Sequence, residues 1–168
     1  MISIEVDPAP FILGGYSVSL KYSPQTMRHL TVMGSVYSSA LPDKMMDKSN
    51  YEKGFRDLKI ETSYALFADY FMKPNRTGFH AGPSVFFYSK SVESHPDARR
   101  QNFHSIYPNV RIGYVYKPFK KCGLYFNPWF NMGKELVTKR DNVAQGEIFI
   151  PGRFSYILAL HVGYQVRF

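Results

Sequence analysis

Residues 154–168 read FSYILALHVGYQVRF. Phe154, Tyr156, Leu158, Leu160, Val162, Tyr164, Val166 and Phe168 hold every even position, while Ser155, Ala159, His161, Gly163, Gln165 and Arg167 hold most of the odd ones. A period of two marks a β-strand with one apolar face. The run exceeds the about 5 to 6 residues usual in soluble sheets and meets the about 9 to 11 that a tilted strand needs to cross a bilayer.

The same parity recurs upstream. Leu124, Phe126, Phe130 and Met132 alternate with Tyr125, Asn127, Trp129 and Asn131, and Ile106, Val110, Ile112, Tyr114 and Tyr116 with Tyr107, Asn109, Arg111 and Gly113. Phe79, Ala81, Val85 and Phe87 alternate with His80, Gly82, Ser84 and Tyr88; Leu58, Ile60, Tyr64, Leu66 and Tyr70 alternate with Lys59, Glu61, Ser63 and Asp69. Leu30, Val32 and Val36 oppose Thr31 and Ser35, and Tyr16, Val18, Leu20 and Tyr22 oppose Ser17, Ser19 and Lys21. Three connections are short and turn-like: SPQTMR (23–28), MKPNRTG (72–78) and KPFKKCG (117–123). The stretches near 40–56, 90–104 and 134–152 are long and polar, and they fall at the opposite ends of the strands. An even count is reached at the N-terminus, where Ile2, Ile4 and Val6 alternate with Ser3, Glu5 and Asp7 ahead of the turn signal DPAP. The expected fold is all-β, an eight-stranded antiparallel up-and-down transmembrane β-barrel, with residues 1–168 as one domain.

The composition is compatible with that architecture. The chain has 168 residues, 45% hydrophobic and 17% aromatic, enough to fold without staples. The mean hydropathy of -0.27 does not exclude a membrane barrel, because alternating strands average apolar with polar side chains. Cys122 is the only cysteine and has no metal-ligand spacing around it. The net charge of +8 raises nucleic acid as a partner, but most of the basic residues lie in turns and loops, and those at 44–56 and 139–140 are mixed with Asp43, Asp47, Glu52, Asp57 and Asp141. Solvated loops attracted to anionic headgroups are the better reading, with no nucleic acid. MISIEVDPAPFILGG has neither a basic start nor an adequate apolar core for a signal peptide, so for an exported chain this is the mature or re-started form.

The two faces separate a membrane barrel from a soluble one. A soluble barrel of the lipocalin kind carries Lys and Glu outward and apolar groups inward. Here the polar face is mainly Ser, Thr, Gly, Asn, Tyr and Ala, as a narrow interior requires, and the apolar face gathers Tyr and Phe near the strand ends as an aromatic girdle.

With the strands placed, terminal Phe168 preceded by Val166, Tyr164, Val162 and Leu160 resembles the assembly signal of bacterial outer-membrane proteins. The whole chain resembles the small eight-stranded barrels of the outer membrane protein A/X-like class, and RIGYVYKPFKKCGLYFNPW (111–129) resembles a hairpin of uncharacterised barrels of that kind. The resemblance implies the bacterial outer membrane as location. It implies outer-membrane lipid, lipopolysaccharide and the barrel-insertion machinery as partners, and a monomer. Some small barrels of this class deacylate or acylate lipid A.

The candidate chemistry is sparse. Of His29, His80, His95, His104 and His161, His104 lies beside Ser105, but neighbouring strand residues point to opposite faces, and the deacylase pattern His-x-Ser is absent. No catalytic, metal or cofactor site is expected. Glu5, Lys59, Glu61, Asp69, Arg111 and His161 share the interior face and are expected to form a satisfied polar plug, with Glu5 or Glu61 pairing Arg111 and with Trp129, Tyr125, Tyr107 and Phe86 adding bulk. Lys48, Arg99, Arg100, Lys139 and Arg140 are the expected loop contacts. The expected function is non-enzymatic: a barrel with a filled lumen and three long extracellular loops in a surface-interaction or envelope-structural role. The alternatives are a lipid A-modifying enzyme, a small-solute channel and a soluble ligand-binding barrel.

Overall fold

A computed structural model describes residues 1–94, 99–119, 122–141, 148–151 and 155–166. Its strands are β1 (Ile2–Val6), β2 (Tyr16–Tyr22), β3 (Leu30–Ala40), β4 (Phe55–Phe71), β5 (Gly78–Ser94), β6 (Arg99–Val115), β7 (Leu124–Gly133), β8 (Leu136–Asp141) and β9 (Ser155–Val166). β1 to β7 pair antiparallel with their neighbours in chain order, β9 pairs with β7, and β9 closes the ring on β1 through Ile4↔Tyr164 and Glu5↔Gly163. β7 and β8 run along the same partner: Gly133 opposes Asn109, and after a break at Lys134 and Glu135, Leu136 opposes Ile106. They are one interrupted stave, so the barrel is closed, up-and-down and eight-stranded.

The alternation sorts the side chains inside out relative to a soluble protein. Val18, Leu66, Val110 and Leu158 are 52%, 59%, 61% and 78% exposed on the outer face, whereas Glu5, Asp69 and Arg111 are fully buried within. Around this band, outward Tyr22, Tyr70, Phe79, Tyr114, Tyr116 and Tyr164 form a lower ring and Tyr16, Tyr64, Phe87 and Tyr156 an upper one.

The wall is uneven in height. β4, β5 and β6 have 17 residues each, against 5 and 7 in β1 and β2. Seventeen residues at the usual rise and tilt reach roughly 43 Å along the axis, about 18 Å beyond the apolar band of a membrane barrel. Two of the three polar stretches expected to be loops are therefore partly strand: 90–94 and 99–104 continue β5 and β6, and 136–141 is β8. Their polarity reflects wall standing in water, which composition alone does not distinguish from loop. The stretch at 40–56 does leave the wall. It carries a short 3-10 turn and the helix α2 (Lys48–Glu52), capped by the Asp47 carboxylate, whose hydrogen bonds from the Ser49 hydroxyl and amide hold its pKa below the usual value. The DPAP signal opens not a bare turn but the helix α1 (Pro8–Ile12), with Asp7 accepting from the Ala9 amide and proline at its first position.

A bulge in β4 changes the facing of its upper end. The register against β5 slips between Arg56 and Lys59 and again between Ile60 and Thr62, with Asp57 at φ 51. An extra residue reverses the parity, so Leu58 and Ile60 point inward at 7% and 6% exposure, and Lys59 and Glu61 point outward.

Val18→Arg or Leu160→Arg, on the outer band, is expected to cost about 2 to 4 kcal/mol if that band lies in lipid. Lys59→Ala on the upper wall should change stability by less than about 1 kcal/mol. Denaturant unfolding of the chain refolded in phospholipid vesicles measures both.

Candidate functional site

The lumen is filled in storeys. At the lower end Glu5 accepts hydrogen bonds from Tyr125 Oη (2.6 Å), Asn127 Nδ2 (3.5 Å) and His161 Nδ1 (2.8 Å), and pairs with Lys21. Asn127 Oδ1 accepts from His80 Nε2 at 2.9 Å, and His80 Nδ1 lies 3.5 Å from Asp69 Oδ1. Asp69 takes Arg111 in a fork, through Nε at 3.1 Å and through Nη2, while the guanidinium carbon lies 4.2 Å over the Phe67 ring and 5.3 Å from Trp129. The network links Lys21 to Arg111 through contacts of opposite charge and hydrogen bonds, with His80 Nδ1 and Arg111 Nη1 as buried nitrogens that make no hydrogen bond among the described residues.

Glycines make room for it. Gly82 is opposite Arg111 in the neighbouring strand, and a Cβ there would meet the Ala68 carbonyl oxygen at 1.8 Å and the Asp69 Cα at 3.0 Å. With no side chain between them, Asp69 and Arg111 reach each other across β5. A Cβ on Gly113 would lie 2.4 Å from His80 Nε2, so this position sets where the imidazole stands.

Above lies an aromatic storey of Phe67, Phe86, Tyr88, Tyr107 and Trp129, with Met33 and Ile60, and Tyr37 edge-on to Phe86 and Tyr88. The break between β7 and β8 turns Glu135 inward, where its carboxylate takes Lys90 Nζ at 2.6 and 2.7 Å and the Ser105 hydroxyl at 2.5 Å. Phe55, Val92, Phe103 and Phe149 with Met46 and Leu58 then form an apolar cap. Asn50 ties the cap down, donating to the Ile150 carbonyl at 2.7 Å and accepting from its amide at 3.2 Å. At the opposite end Arg76, in the β4–β5 turn, reaches over to the carbonyls of Pro24 and Met27.

Of the six residues expected inside, Glu5, Asp69, Arg111 and His161 share the network. Lys59 and Glu61 do not join it, because the β4 bulge turns them out: Lys59 pairs with Asp57 at 3.1 Å and Glu61 accepts from Ser91. The partner of Arg111 is Asp69 rather than Glu5 or Glu61. Lys21, His80 and Asn127 carry the interior parity and were findable by it; Lys90 and Glu135 lie in stretches whose polarity reads as loop. His104 faces outward and Ser105 inward. Leu160, Val162, Tyr164 and Val166 form the outward face of β9, and Phe168 lies outside the described residues. Among the expected loop contacts, Lys48 pairs with Glu52 on α2, and Arg99 opens β6. Arg100 is held by Asp57 (2.5 Å), Glu93 (3.5 Å) and Glu61 (3.8 Å). Lys139 and Arg140 belong to β8, with Arg140 donating to the Phe149 carbonyl at 2.6 Å. Among the described residues no group of three His, Cys, Asp or Glu side chains is placed to hold a metal, and no helix is long and apolar enough to cross a membrane.

Arg111→Ala strands the Asp69 carboxylate and is expected to cost about 3 to 5 kcal/mol, whereas replacing both partners, Asp69→Leu with Arg111→Met, should cost clearly less than the sum of the two single changes. Urea unfolding followed by the fluorescence of Trp129 reads this cycle. Comparison with models of known families, with curated proteins and with solved structures finds no match to this chain.

Proposed function

We propose that this protein is a bacterial outer-membrane barrel with a closed lumen, serving as a surface or envelope-structural element rather than as a pore or an enzyme. The observation that carries the reading is the change of character along single outer faces. On β4 the outward residues run Tyr70, Leu66, Tyr64 and then Glu61 and Lys59, and on β5 they run Phe79, Val85, Phe87 and then Glu93. An apolar band bounded by aromatic rings and giving way to ion pairs is what a bilayer surface demands of a wall that rises out of it. A soluble barrel has no reason to expose Leu158 at 78% while burying Arg111 completely.

The filled storeys support the non-conducting reading, since polar network, aromatic layer and apolar cap follow one another along the axis. His104 and Ser105 on opposite faces disfavour the deacylase reading. The raised wall supplies the surface role. Arg100 is paired with three carboxylates, and outward Arg99, with Lys48 beside Glu52 on α2, faces the phosphates of lipopolysaccharide. The outward face of β9 is the surface offered to the insertion machinery.

The expected outcome is recovery in the outer-membrane fraction, with gel migration that changes on boiling. Planar bilayers holding the purified chain should show no stable single-channel current, and Arg111→Ala should remain silent because the cap lies beyond it. Recovery as a detergent-free soluble monomer, or steady currents from the parent chain, overturns the reading.

A further inference from the structure

The ring of strands is complete at the lower end and incomplete above it. β1 pairs with β9 only as far as Val6↔Val162, and among the described residues no strand pairs with the β1-facing edge of Ser155–His161, roughly 20 Å of chain. α1 lies at this break, with Phe11 and Ile12 turned outward at 52% and 83% exposure. Ile157 and Ala159, which the parity turns to the interior, are only half-buried.

Behind the break is a cavity of about 70 Å³ lined from both sides of it, with Asp7 and Pro10 on one, Ile157, Ala159 and His161 on the other, and Trp129 among the aromatic rings at its back. One polar group in that lining lacks a partner among the described residues: the indole N–H of Trp129 is buried with no acceptor. Beside it, His161 is fixed by Glu5 through Nδ1. The two rings stand edge to face with centroids 5.3 Å apart. A buried donor without an acceptor is costly, as is an unpaired strand edge against lipid.

We propose that this cavity binds the carbonyl end of a fatty acyl chain, either a free fatty acid or an acyl ester, which enters sideways from the bilayer between α1 and β9. The cavity has about half the roughly 150 Å³ that accommodates a benzene-sized molecule, so it takes the carbonyl and its first methylenes. The rest of the chain lies along Ile157, Ala159 and the outward Phe11 and Ile12, continuous with the lipid. Trp129 donates to the carbonyl oxygen and His161 lies beside it. The inference rests on the bilayer reading of the barrel.

Trp129 is the only tryptophan in the chain and is therefore its own reporter. The full chain is inserted in phosphatidylcholine vesicles, insertion being verified by heat-modifiable migration, and titrated with palmitic acid brominated either beside the carboxyl or at the methyl end. The expected result is saturable quenching by the first and only weak, non-saturating quenching by the second. Ala159→Phe, which fills the cavity, should abolish the saturable component, and Ile157→Phe serves the same purpose if that variant does not fold. Displacement by unbrominated palmitic acid alone identifies the free acid as ligand; displacement by its methyl ester as well identifies any acyl carbonyl. Absence of saturation, equal quenching from both bromine positions, or quenching unchanged in a folded filled variant overturns the proposal while leaving the bilayer reading intact. Failure of the parent chain to insert overturns both.

Discussion

An eight-stave barrel encloses a space only wide enough for side chains, so a charge that enters it must be paired there. Asp69 and Arg111 satisfy that constraint most directly, joined by a fork across a glycine in the stave between them, and the rest of the lower lumen follows from it. His80 lies beside Asp69, Asn127 accepts from His80, and Glu5 gathers the amide of Asn127, the hydroxyl of Tyr125 and the imidazole of His161. These contacts join strands far apart in sequence. The hydrogen-bond ladder fixes neighbours around the ring, whereas this network also ties staves to the ones beyond their neighbours, β4 to β6, β5 to β7 and β7 to β1.

Irregularities in the ladder do the remaining positioning. The break after Gly133 turns Glu135 toward Lys90 and Ser105, and the slip in β4 carries Leu58 and Ile60 under the cap. Both lie high in the tall staves, where the interior changes from polar to apolar. A strict alternation would have left aliphatic groups in water and charged ones beneath the cap.

The period of two was enough to read the barrel from the chain, because each stave repeats it for long enough to outweigh local composition. Its phase was readable only where no extra residue intervened: Glu5, Asp69, Arg111 and His161 fall on the inner face as their parity requires, and Lys59 and Glu61 do not, because one inserted residue leaves no mark on the alternation further down. Nor does parity say which inner residues meet. Asp69 and Arg111 lie on staves that are not adjacent, and their contact depends on the empty position at Gly82 between them. The polar stretches near 90–104 and 134–152 read as loops, yet 90–94, 99–104 and 136–141 are strand, since a wall in water and a loop in water select the same residues.

The difference in height between β4–β6 and β1–β2 gives the molecule a front and a back within the plane of any membrane that holds it. A body approaching along the surface from one side meets a charged rampart, and from the other a low sill formed by α1. Rotation about the barrel axis, to which a symmetric cylinder is indifferent, thereby becomes a variable that neighbouring molecules can sense. Two copies with their ramparts together and two with their sills together are distinct objects. Crowding in the membrane would act on this protein as a torque as well as a pressure.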